Sequence, residues 1–105
     1  MAVKVLIERK VIAQPGNEVQ VLAIMKEIRA RCLDQAGYIS GETLRDNDDP
    51  STLLVMSTWF GQGDWKTWHD SPVRKQLMSR LRPLLAQPER IRILLEGISD
   101  SHSGA

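Results

Sequence analysis

A chain of 105 residues, 42% of them hydrophobic, makes one globular domain and leaves no room for a second. Lys+Arg 14 against Asp+Glu 13 gives a net charge of +1 with the two signs intermixed, which excludes the basic footprint of a nucleic-acid binder. Cys32 is the only cysteine, so an internal disulfide and a thiolate metal cage are both excluded.

The first element is "VKVLIERKVIA" (3–13), a strand rich in β-branched residues in which Val3, Val5 and Ile7 alternate with Lys4, Leu6 and Glu8. Its charges at Lys4, Glu8, Arg9 and Lys10 stand where a signal peptide needs an unbroken apolar run. With no apolar stretch long enough to span a bilayer, the chain reads as soluble and cytoplasmic. After "PGN", Val21, Met25, Ile28 and Cys32 recur at helical spacing, widened by Leu22 and Leu33; Asn17 is the expected N-cap and Gly37 the expected stop. Cys32 in that stripe reads as a buried structural thiol.

"GYISGETLRD", the turn "NDDPS" and "TLLVMSTWF" predict an antiparallel hairpin. "GQGDWKTWHD" predicts a short helix capped by Asp64, and Ser71-Pro72 restarts a second one with serine at N-cap and proline at N1. Val73, Leu77 and Leu81 form the stripe of that helix, which Pro83 ends or kinks. "ERIRILLEGI" is a fourth strand, and "SDSHSGA" a polar tail expected to be disordered. The order is β-α-β-β-α-β: an α+β, ferredoxin-like domain over residues 1–98, a four-stranded antiparallel sheet with helices on one face, and a tail over 99–105.

Such a sheet should turn a polar face to solvent, yet Leu54 and Met56 oppose Leu53, Val55 and Trp59, and Leu6 and Ile12 oppose Val5, Ile7 and Val11. An uncovered apolar face predicts a second copy of the sheet, hence a homodimer packed through the sheet face.

Standard chemical signatures are missing. His69 and His102 are the only histidines and have no metal-ligand spacing; Ser57 and Ser71 serve a strand and a cap; "GQG" precedes no Lys-Ser pair. What remains is Trp59, Trp65 and Trp68, the only tryptophans, beside His69 and Arg74. On a helix Trp65 and Trp68 are i, i+3 neighbours and Trp65 and His69 are i, i+4, so they form either a flat wall for a planar ligand or the filler of a small core. Arg74 and Lys75 stand in a first turn, where the helix dipole disfavours cations; an anion or a solvated face accounts for them. Glu8 and Glu42 are proton acceptors for a cavity or cross-strand partners of Arg9, Arg45 or Arg92.

"GYISGETLRD", "LLVMSTW", "DWKTWHDSPVRKQLMSRLRPLL" and "PERIRIL", in this order, resemble the antibiotic biosynthesis monooxygenase (ABM) domain family. The resemblance implies a dimeric α+β barrel with a ligand site between sheet and helices. It also implies oxygenation of quinols or anthrones without metal or flavin, so no cofactor is expected. Haem-degrading members pair an Asn, a Trp and a His; Trp68 matches the Trp, while Arg9 and Met78 stand at the other two positions. Quinol-type members often carry a His after the loop Ser-Pro, where this chain has Val73.

The combined expectation is a small dimeric protein that binds an aromatic or quinol-like molecule and oxygenates it. Trp68 and His69 are the catalytic candidates, His69 taking the proton. Trp59, Trp65 and Arg74 are the binding candidates. A non-catalytic ligand-binding or stress-related barrel protein is the alternative.

Overall fold

The computed structural model describes residues 2–95; the expected end of the last strand, the tail and His102 lie outside them. Four strands, β1 (Val3–Lys10), β2 (Tyr38–Arg45), β3 (Thr52–Trp59) and β4 (Arg90–Leu95), form one antiparallel sheet in the order β2-β3-β1-β4. Helices α1 (Asn17–Cys32), α2 (Gln62–His69) and α3 (Pro72–Leu81) lie on one face, and a 3-10 turn (Arg82–Leu84) follows α3. This is the ferredoxin-like fold. Among the described residues no helix is long and apolar enough to cross a membrane.

Strand parity decides which residues meet the helices. Val3, Val5, Ile7 and Arg9 of β1 pair with Trp59, Ser57, Val55 and Leu53 of β3, and this face carries the core. The opposite face has Leu6 beside Met56 and Glu8 beside Leu54, with Leu94 beside Lys4; its apolar residues are only partly buried. The mixed apolar pattern of both faces is therefore real.

Several local expectations change. Asn17 does not cap α1; Gly16, at φ 78°, precedes it, and the Asn17 amide donates to the carbonyls of Ile12 and Leu84 at 2.7 and 3.1 Å. A buried side-chain donor that ties the end of β1 to the 3-10 turn is unavailable for a cap. Asp64 does not cap α2 either; Gly61 precedes that helix without a side-chain bond. Ser71 does cap α3, accepting from the Arg74 amide at 3.2 Å. Leu22, Leu33 and Val73 are exposed, and Ile24 and Met78 take core positions in their helices instead. Pro83 converts the end of α3 to a 3-10 turn, because its ring cannot continue the α-helical hydrogen bonding.

Gly37 lets α2 close on the start of β2. Its φ is +84°, and a Cβ there would lie 2.3 Å from the Asp64 carboxyl carbon. Gly16 has similar backbone (φ +78°) with no atom within 4 Å of a Cβ. Gly37→Ala is therefore expected to destabilise by about 2–3 kcal/mol and Gly16→Ala by about 1 kcal/mol. Urea unfolding of the two variants side by side checks this; equal costs would mean that Asp64 moves away freely.

Candidate functional site

A cavity opens between α1 and β2 and reaches inward to α2 and α3. Its apolar wall includes Ile7, Met25, Ile28 and Val55, and Trp65 and Trp68 close its inner end. Its volume is about 50 Å³, room for about four waters at roughly 10–15 Å³ each. The local sequence explains the ring placement: Trp65 and Trp68, three apart on α2, both turn inward, 4% and 1% exposed.

Trp59 is 0% exposed and does not line the cavity. Its indole N–H donates to Ser57 Oγ at 3.0 Å, and its ring packs edge-on between Tyr38 and Trp65, centroids 5.3 and 5.8 Å away. It is core filler that backs the wall.

His69 lies elsewhere. Its side chain is 42% exposed and lines a surface groove between α2 and β4 with Gln62, Lys66, Ile91 and Ile93. Trp65 separates it from the cavity, 5.6 Å between ring centroids, and Nδ1 sits 3.0 Å from Asp70. The helical spacing that put Trp65 and His69 on one side of α2 holds, but that side spans two grooves. The sequence reading that grouped His69 with the tryptophan wall is corrected in this respect.

Arg74 is not on a solvated face. It is 4% exposed, lines the cavity, sits 5.5 Å over the Trp65 ring and donates to Glu89 Oε1 at 2.7 Å. The other oxygen of Glu89 accepts from Arg9, 2% exposed, at 3.0 Å. Arg9 also contacts the Met78 sulfur at 4.0 Å, so the positions singled out by the haem-degrading comparison, Arg9, Trp68 and Met78, are all buried beneath the helices. Burial pushes the Glu89 carboxyl up, but the guanidiniums of Arg9 and Arg74 outweigh it and hold the group below the usual range. Burial lowers Arg9 against the opposing pull of Glu89.

This Arg9–Glu89–Arg74 triad is the feature that sequence reasoning missed. A signal existed: Arg9 occupies an inward position in the alternation of Val3, Val5 and Ile7, and a buried guanidinium needs a carboxylate. Of the acidic candidates, Glu8 faces the opposite side and pairs with Arg90 at 3.7 Å, while Glu42 is exposed but lines the rim of the cavity. Cys32 lines the cavity, and burial pushes its thiol up to about 11, against the arginines that favour the thiolate. At pH 7 burial keeps it in the neutral thiol form.

The sequence model for antibiotic biosynthesis monooxygenases matches residues 3–80. The chain belongs to the antibiotic biosynthesis monooxygenase family. Solved structures share its fold: SnoaB, a cofactor-independent oxygenase from Streptomyces nogalater, superposes with a TM-score of 0.79 at 14% identity, covering 93% of this chain and 95% of its own. A Mycobacterium tuberculosis protein gives 0.80 at 15% identity, with 96% and 100% covered. A conserved protein from Methanosarcina mazei gives 0.79 at 19%, with 89% and 90% covered. At such identities the likeness establishes the fold alone. No curated protein matches the sequence closely enough to count as a relative.

Proposed function

We propose that this ABM protein is a homodimer that binds an aromatic or quinol-like molecule between sheet and helices and oxygenates it with O₂ without a cofactor. The observation that carries the binding part is the cavity itself, with Trp65 and Trp68 as a flat apolar wall and Arg74 beside them. The dimer is supported by the uncovered apolar residues Leu6, Leu54, Met56 and Leu94 on the helix-free sheet face. Sedimentation at micromolar concentration is expected to give twice the chain mass, and a monomer would refute it.

The chemistry needs a substrate that carries its own electrons. Removing a proton from a ring-activated C–H group leaves a carbanion, which O₂ oxidises; one oxygen stays on that carbon and the other leaves as water. The protein then has to hold the ring, accept the proton and stabilise the anion by hydrogen bonds. Trp65 and Trp68 would hold the ring and Arg74 the anion.

The acceptor is the weak part, and it favours a second reading, a binding protein without turnover. Glu89 is committed to two arginines, Cys32 is a neutral thiol, His69 faces the other groove, and Glu42 reaches the cavity only from its solvent-exposed rim. Oxygen uptake with quinols and anthrones, compared for the parent and His69→Ala, separates the readings. For His69 as acceptor, uptake falls at least about 100-fold in the variant; uptake that is unchanged removes His69 from the role, and quenching of tryptophan fluorescence without uptake leaves the binding protein.

A further inference from the structure

We infer that the cavity takes a single-ring aromatic carboxylate, its carboxylate held by Arg9 and Arg74 and its ring against Trp65 and Trp68. The inference rests on the cavity being an aromatic-ligand site and narrows its ligand to a monoanion of one ring.

Charge comes first. Arg9 and Arg74 share one carboxylate, Glu89, so one positive charge stays uncompensated in a place where neither guanidinium is more than 4% exposed. A buried cation without a counterion is costly, and an incoming anion removes that cost. Arg29, exposed at the mouth, lines the same cavity and has no ion-pair partner among the described residues. Three guanidiniums thus meet one cavity, against a single lining carboxylate, the exposed Glu42 at its rim.

Geometry comes second. Glu89 takes Nε and one terminal nitrogen of Arg9 and one terminal nitrogen of Arg74. Arg9 Nη2 also meets the Met78 sulfur, while Arg9 Nη1 and Arg74 Nε and Nη1 have no acceptor among the described residues, where no fully buried side-chain nitrogen lacks a partner. Those nitrogens are therefore not sealed off, and both arginines line the cavity. A planar guanidinium fork matches a planar carboxylate.

Size comes third. A cavity of about 50 Å³ is about a third of the roughly 150 Å³ that encloses benzene in a protein core, so a single ring is the upper limit and enters only as α1 and β2 part at the mouth.

Tryptophan fluorescence titration of the whole protein at pH 7 tests this with benzoate, its uncharged ester methyl benzoate, hydroquinone and acetate. Benzoate is expected to bind at least about tenfold tighter than methyl benzoate, the worth of one charge-assisted pair. Arg74→Gln should abolish the preference, and Arg29→Gln, on an exposed residue whose loss spares the core, should reduce it. Methyl benzoate or hydroquinone binding as tightly as benzoate overturns the carboxylate and leaves the aromatic-ligand reading standing. Acetate equal to benzoate overturns the ring. Silence from all four overturns the inference together with the reading beneath it.

Discussion

Glu89→Gln is expected to lower stability by about 3–5 kcal/mol at neutral pH, because it leaves two buried guanidiniums facing each other without a counterion. Arg9 and Arg74 are 2% and 4% exposed, so the few waters the cavity holds replace the lost carboxylate only in part. The pH dependence has a definite sign. The folded-state value of Glu89 lies below its ordinary 4.5, so the stabilisation is fully present above about pH 4.5 and is lost as pH falls through the depressed value. Urea unfolding of parent and variant between pH 7 and pH 3 should show their stabilities converging on acidification. A constant gap across that range would mean that the ionised carboxylate is not what the parent gains.

Trp59→Ala is expected to cost about 3–5 kcal/mol, a large share of the roughly 5–15 kcal/mol typical of such a domain. The ring is wholly buried, wedged between Tyr38 and Trp65, and its loss also leaves Ser57 Oγ without the indole donor. Neighbouring rings cannot collapse into the gap without disturbing the cavity wall, so the cavity penalty should be near its upper range. The midpoint of urea unfolding should fall while its slope is kept. A cost below about 1 kcal/mol would show that Tyr38 and Trp65 repack, which contradicts the tight edge-on arrangement.

The two substitutions probe parts of the molecule that differed in how readable they were. Trp59 closes a strand whose alternation puts it on one face with Leu53 and Val55, and the structure turns that face to the helices. Whether it was wall or filler could not be read from the strand, because that depends on α2 crossing over it. Trp65 and Trp68 became wall for the same reason.

His69 shows the limit of helical spacing. A wheel places side chains around an axis, but it does not say that the space beside α2 is divided by Trp65 into an inner cavity and an outer groove. The Arg9–Glu89–Arg74 triad spans 80 positions between Arg9 and Glu89, and no local pattern links such distant charges.

The sequence by itself determined the element order, which residues of β1 and β3 share a face, the Ser71 cap and the family. Those follow from periods of two and 3.6, from cap chemistry and from motif order, all of which act within a few residues. Only the tertiary structure decided which tryptophans face empty space, that Arg74 folds inward, and that one carboxylate serves two buried arginines. These depend on distances between elements far apart in the chain, and the packing of helices on the sheet sets them.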